Sequence, residues 1–318
     1  MDDAESAYGQ GHAESVVRSQ HWRDVSNSAA YLVPHLRPGL AVLDVGCGPG
    51  TITVDIAARV APGRVLGVDP SAEVLEQARA NAELARLDNT AFEQGDVYEL
   101  DAAADSYDVA HAHQVLLHLT DPVAALREMM RVVRPGGVVA ARDSDYAGML
   151  WYPEDPRLDR WQEVYRAVAR ANGAEADAGR RLLAWANDAG AQDVTPSASI
   201  WCHSTPRERA WWGGMWADRI LYSRIAEQAT EGGYATRAEL EDISTAWREW
   251  VEQPDGWFAI PHGEILIRVR PLQGVRCVVV GARRAGSRGH RNTLYSKVLS
   301  NDSGVDVAGV LAAGVCWS

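Results

Sequence analysis

Short apolar runs and longer amphipathic stretches alternate through the first half of the chain. Ala41 to Val45 is an apolar run that stops at glycines, as a buried parallel strand does. Arg64 to Val68 is a second, ending at Asp69. Thr90 to Gln94 is a weaker third, Tyr107 to Ala112 a fourth and Val138 to Ala141 a fifth. Between them the spacing is helical. Ser26 to Leu36 reads as a helix that ends at Pro38-Gly39, and Thr51 to Val60 as another. Ser71 to Arg86 opens on a capping serine and places Val74, Leu75, Ala78, Ala82 and Ala85 along one face. Asp121-Pro122 joins an N-cap to a proline at the first helical position; that helix runs to Arg134 and stops at Pro135-Gly136-Gly137.

Strands alternating with helices imply βαβ units, a parallel sheet and helices on both of its faces. After Asp143 the rhythm changes. Asp145 to Ala189 and Pro206 to Gln253 read as mostly helical, Asp193 to His203 alternates loosely like a strand, and Gly263 to Val269 is a further strand. The expected fold is α/β: a Rossmann-like, doubly wound seven-stranded sheet, with helical insertions around the sixth strand forming a lid. The expected organisation is a helical cap over 1–40, a ligand-binding core over 41–145, the lid and last strands over 146–270, and an atypical tail over 271–318. The tail is rich in Gly, Ser and Val and lacks an amphipathic pattern, so it is expected to be poorly packed and dispensable.

Composition narrows the partners. A chain of 318 residues can bury a full core. Its net charge of −12 argues against duplex nucleic acid, which is bound largely by neutralising phosphates, and against anionic membrane surfaces. The tail has the opposite sign, with six basic residues against Asp302 and Asp306. No basic segment followed by an apolar one opens the chain, and no apolar run reaches membrane-spanning length. The four cysteines form no C-x-x-C pair, so neither a zinc site nor a disulfide framework is expected, and a cytoplasmic setting follows. The expected partner is a small molecule, without nucleic acid or membrane insertion; a homodimer is left open.

Chemistry first enters at Val42-Leu43-Asp44-Val45-Gly46-Cys47-Gly48-Pro49-Gly50-Thr51. A strand feeds a glycine turn and a helix follows, so backbone amides and the positive helix end can approach a ligand. Dinucleotide fingerprints read G-x-G-x-x-G. Here the glycines are spaced G-x-G-x-G, with Thr51 where the third dinucleotide glycine would fall and Asp44 in front. That suits a compact nucleoside with an amino-acid tail, S-adenosylmethionine (SAM), above NAD(P) or FAD; a purely structural glycine turn is the remaining reading. Asp69, before Pro70, stands where a carboxylate accepts from ribose hydroxyls, and NAD enzymes use the same device. Gly95-Asp96-Val97 follows the third strand, where a carboxylate can accept from an adenine amino group.

These residues, with Tyr107-Asp108-Val109 and Leu126 to Val138, resemble the class I SAM-dependent methyltransferases. They most resemble the branch related to the ubiquinone/menaquinone-biosynthesis C-methyltransferases. Tyr8 to His12, Ser15 to Arg23, Asn27 to Tyr31 and Phe258 to Arg268 are similar to a microbial and fungal subgroup of that branch. The resemblance spans roughly residues 8 to 270 and is specific for the cofactor, not for the acceptor. It implies that Gly46, Cys47 and Gly48 contact the methionine part of SAM, Asp69 the ribose, and Asp96 and Val97 the adenine, with His113 and Gln114 beside the transferring methyl. The segment Tyr8 to Arg23 is expected to fold over that pocket, with Tyr8, His12, Trp22 and Arg23 covering the ligand's polar ends.

The remaining candidates are histidines and tryptophans. His111 and His113 share one strand face, but no third ligand or acidic partner is evident, so no metal is expected. His113 or His118 can take a proton from an acceptor, because imidazole titrates near neutrality; packing or SAM contact is the alternative. His262 has the same two readings. Ten of the twelve tryptophans lie between Trp151 and Trp257, as lid core or as a wall around an apolar or aromatic acceptor. Ala112-His113-Gln114-Val115 replaces the Asn/Asp-Pro-Pro-aromatic motif of base and glutamine methyltransferases, which disfavours those acceptors. The expected activity is methyl transfer to O, C or N of a small molecule in quinone or secondary metabolism. A SAM-binding protein without transfer, or a nucleotide-dependent oxidoreductase, are the alternatives.

Overall fold

The computed structural model describes residues 22–270, which lie within one compact unit of the chain. The expectations for Tyr8, His12 and the rest of the segment before Trp22, and for the tail 271–318, lie outside the described residues.

Among the described residues eight strands form one mixed sheet. β1 (Val42–Val45), β2 (Val65–Asp69), β3 (Thr90–Gln94), β4 (Tyr107–His113) and β5 (Val133–Ser144) are parallel and lie in the order β3-β2-β1-β4-β5. β6 (Leu150–Tyr152), β7 (Val194–His203) and β8 (Trp257–Arg268) complete the sheet, and β8 pairs antiparallel with β5, β6 and β7. The order turns about β1 and β4, which makes the crevice beyond their carboxyl ends the natural ligand site of an open α/β sheet. Seven of the strands lie on one path, as expected, and β7 joins it through β8. β6 has only three residues, too few to show alternation, and sits in a stretch that reads as helix.

Helices follow the strands. A short helix, α1 (Val25–Ser28), is capped by Asp24 and Asn27, and a 3-10 segment Ala30–His35 follows it. The single helix expected over Ser26 to Leu36 is therefore broken. Ala29 leaves helical geometry at φ −138°, and Pro34 has no N–H to continue an α-helical ladder. α2 (Thr51–Val60) and α3 (Ala72–Leu84) form as the spacing predicts, the latter capped by Ser71. α4 (Pro122–Val132) ends two residues earlier than expected. Pro135-Gly136-Gly137 lies inside β5, where the pairing with β4 slips between Tyr107 and Val109.

The two faces of the sheet differ. Leu43, Val45, Ala110, Ala112, Val139 and Ala141 pack against α4 and α6 (Leu182–Asp188). Val42, Val65, Val109 and Ala140 pack against α1, the 3-10 segment and α2. The insertions, α5 (Pro156–Ala171), α7 (Pro206–Tyr222), α8 (Arg224–Glu231) and α9 (Arg237–Glu252), build a core of their own around Trp161, Trp216 and Trp247, which also holds Phe258 of β8. Most lid tryptophans are thus structural. Trp161 meets Trp216 and Trp247 edge-on, with ring centroids 4.6 and 5.0 Å apart.

Candidate active site

The glycine turn after β1 is held from behind and from the side. Gly46, Gly48 and Gly50 all take left-handed φ of +64°, +54° and +75°, which glycine adopts without a Cβ penalty. A Cβ on Gly46 would fall onto the methyls of Val115, just past β4. The amides of Gly46 and Cys47 donate to the Val68 carbonyl at the end of β2. Thr51, expected at the ligand, is the first residue of α2.

Asp44 sits beneath this turn. It is buried, accepts from the Thr53 hydroxyl at 2.5 Å, and lies 2.7 Å from Nδ1 of His111. Asp44 is engaged inside the protein through both carboxylate oxygens, where it ties β1, α2 and β4 together. It also supplies His111 with the acidic partner that the sequence did not reveal. Among the described residues no group of three or more His, Cys, Asp or Glu is placed to hold a metal ion.

Asp69 stands at the end of β2, one strand away from the turn. Its Oδ2 accepts from the Gly48 amide and its Oδ1 from the Ser71 amide, each at 3.0 Å. The carboxylate thus orients the turn and caps the start of α3. Pro70 next to it is exposed. Gly95 lets the end of β3 lie against β2, because a Cβ there would be 2.8 Å from Val68 Cγ1. Asp96 is exposed and accepts from the Tyr98 amide, while Val97 beside it is buried.

His113 and Gln114 close the site at the end of β4. Gln114 has a left-handed φ of +54°, which turns its side chain into a relay. Arg23 donates to Gln114 Oε1 at 2.6 Å, and Gln114 Nε2 lies 2.9 Å from His262 Nε2. Since His262 Nδ1 is 3.0 Å from the Ile260 carbonyl, which can only accept, the proton sits on Nδ1. Nε2 is then a bare acceptor for the Gln114 amide. Every polarity in the chain Arg23, Gln114, His262, Ile260 follows from its fixed ends. Trp22, Trp201, Trp211 and His203 form an aromatic group beside it, with Trp22 meeting Trp201 edge-on at 5.0 Å. His113 lies 5.6 Å from Trp201 and 6.3 Å from His262, ring to ring.

The histidines are weak bases here. Burial, aided by Arg142 and Arg23, pushes His113 well below its ordinary range. Burial also drives His118, on the 3-10 turn Leu116–His118, down to about 3. Both are neutral at pH 7, and neither is matched to proton removal near neutrality, which works against the expected catalytic role. Sequence reasoning missed Arg142, Asp143, Trp201 and His203 as members of this neighbourhood. The charged run Arg142-Asp143-Ser144-Asp145 at the end of an apolar strand was the available signal.

A glycine cradle, a carboxylate one strand over and an acidic turn after the third strand define a SAM-dependent methyltransferase, and the chain belongs to that family. A methyltransferase-domain family model matches residues 36–204. The chain is 32% identical over 271 residues to an uncharacterized methyltransferase of Schizosaccharomyces pombe, covering 82% of this chain and 96% of that one. It is 42% identical over 103 residues to the ubiquinone/menaquinone biosynthesis C-methyltransferase UbiE of Bdellovibrio bacteriovorus, covering 32% of this chain and 43% of that protein. Among solved structures it is similar to the YcgJ protein from Bacillus subtilis, with a TM-score of 0.49 and 22% identity, over 76% of this chain and 97% of that one. Its cofactor is S-adenosylmethionine.

Proposed function

We propose that this chain transfers a methyl group from SAM to an oxygen, carbon or nitrogen of a small apolar or aromatic acceptor, in quinone or secondary metabolism. The observation that carries the reading is the convergence of the Gly46–Gly48 turn, Asp69, Asp96 and the His113-Gln114 pair at the carboxyl ends of β1 to β4. In this reading Gly46, Cys47, Gly48 and Thr51 hold the methionine part, Asp69 and Pro70 face the ribose, and Gly95, Asp96 and Val97 frame the adenine. Bound SAM supplies an activated methyl on a sulfonium. What the chain must add is alignment and exclusion of water, and proximity alone contributes several kcal/mol. Arg23 and Gln114 fix one wall, and Trp201 with Trp22 and Trp211 offers an apolar one. Neutral His113 and His118 act as hydrogen-bonding groups, so deprotonation falls to an acceptor that ionises by itself.

Calorimetry on the full chain tests the cofactor half. SAM and its product S-adenosylhomocysteine (SAH) are expected to bind with micromolar-range affinity and NAD(P) not at all. Asp69→Ala is expected to weaken SAM by about 1–3 kcal/mol, the cost of leaving ribose hydroxyls and the Gly48 amide without their acceptor. NAD binding without SAM binding would overturn the assignment. An unchanged affinity in Asp69→Ala would show that the carboxylate serves the turn alone.

A further inference from the structure

We propose that Arg142 is the anchor of an anion-binding subsite that holds a carboxylate, or a similarly planar oxyanion, of the methyl acceptor. The proposal rests on the methyl-transfer reading for the identity of that ligand as the acceptor; the subsite itself rests on the geometry around one side chain.

Arg142 is on β5, in register with His113 on β4 and with Glu264 on β8, and it is 1% exposed. Only one edge of its guanidinium is used. Nε donates to Glu264 Oε1 at 3.3 Å and to the Ser199 hydroxyl at 3.1 Å. Glu264 is already well supplied, since Ser199 donates to Oε1 at 2.5 Å and Ser197 to Oε2 at 2.7 Å. Both terminal nitrogens of Arg142, Nη1 and Nη2, are buried and meet no hydrogen-bond partner among the described residues. A buried guanidinium with its whole terminal fork unpaired is costly, and folds keep such an arrangement where an acceptor comes to it.

The surroundings say what that acceptor is. Trp201 lies over the guanidinium with 4.8 Å from Cζ to the ring centroid, so one flat side is covered. Nη1 and Nη2 together present the fork that takes two oxygens of a planar anion side by side. Two further polar groups of this neighbourhood are also buried without a partner among the described residues: the Tyr31 hydroxyl and both ring nitrogens of His113. Tyr31 and Arg142 are close enough for each to alter the other's ionisation, and Arg142 does the same to His113. These neutral groups can donate to an oxyanion's remaining lone pairs without adding charge. Glu264 already balances the single positive charge of Arg142, so the fork offers paired N–H donors suited to one planar, singly charged group rather than the excess charge a phosphate dianion calls for.

The subsite borders the place assigned to chemistry. The Gln114 amide donates to the Arg142 carbonyl at 2.7 Å, and His113 is Arg142's neighbour across the sheet. An acceptor held by its carboxylate on Arg142 would present the rest of its body to His113, Gln114 and Trp201.

The test uses the full chain saturated with SAH. Formate, acetate and benzoate are titrated calorimetrically against formamide, acetamide and benzamide, matched in shape and lacking the charge. At least one carboxylate is expected to bind about tenfold or more tighter than its amide, and that preference is expected to vanish in Arg142→Lys, which keeps the charge and loses the fork. A chain in which no carboxylate outbinds its amide overturns the proposal, and this comparison needs no variant. A preference that survives intact in Arg142→Lys overturns it equally. Failure of SAH to bind the unaltered chain would sink the methyl-transfer reading instead, and the carboxylate titration without SAH would still judge the subsite.

Discussion

Gly263→Ala is expected to destabilise the protein by at least about 3 kcal/mol, more than most single substitutions cost. Gly263 lies in β8, opposite Asp143 of β5 and Ala198 of β7. The backbone of Gly179, in the 3-10 turn Ala178–Arg181, lies directly against it. A Cβ on Gly263 would come within 2.5 Å of the Gly179 carbonyl carbon and closer still to its oxygen. No side chain can rotate away to relieve this, because the obstruction is backbone. The turn would have to lift off β5 and β8, and with it Arg180, whose guanidinium forks onto the buried Asp145 at 2.5 and 2.7 Å. Chemical denaturation would show the loss. A change under about 1 kcal/mol would mean that the turn is free to move.

Acidification from pH 6.5 to 5 is expected to remove several kcal/mol more. Burial lowers His113 and His262 well below the ordinary imidazole range, His203 to about 4 and His118 to about 3. A histidine whose folded pKa is depressed leaves the unfolded chain with more protons once pH drops below about 6.5, so stability is present above that value and lost below it. Asp143 opposes this. Burial raises it to about 8, so the folded chain carries its proton through the same window. Four histidines against one aspartate leave three protons in favour of the unfolded state, or about 4 kcal/mol per pH unit at the acid end of the window. Thermal midpoints between pH 7 and 5 measure it. A midpoint that holds steady or rises as pH falls would show that these histidines find partners or water in solution.

Much of the architecture was legible in the sequence because it is local. Thr51–Val60 and Thr90–Gln94 form with the predicted bounds, since their spacing, caps and flanking glycines lie within a few residues. The glycine turn, Asp69 and Asp96 were legible for the same reason: each sits at or just past a strand end. What escaped was made by pairing at a distance. Asp44 meets His111 across 67 residues, and Arg142 meets Glu264 across 122. No local pattern records that Ser197, Ser199 and Glu264 would occupy one edge of a guanidinium and leave the other bare. β6 exists because Trp257 to Ala259 offer it an edge, not because Leu150 to Tyr152 alternate. The tryptophans show the limit of composition: Trp216 and Trp201 share one core, and no local pattern records that Arg219 would lie over the first and Arg142 over the second.

Transfer of a labelled methyl tests the central claim most directly. The full chain is given SAM with a deuterated methyl group, together with a small-metabolite extract, total RNA or unfolded protein in separate reactions. The account predicts that SAH accumulates with the metabolite fraction and that mass spectrometry finds the label on a small molecule in equal amount. Label in RNA or protein and in no small molecule, or SAH formation no faster than SAM decays unaided in every reaction, would contradict it.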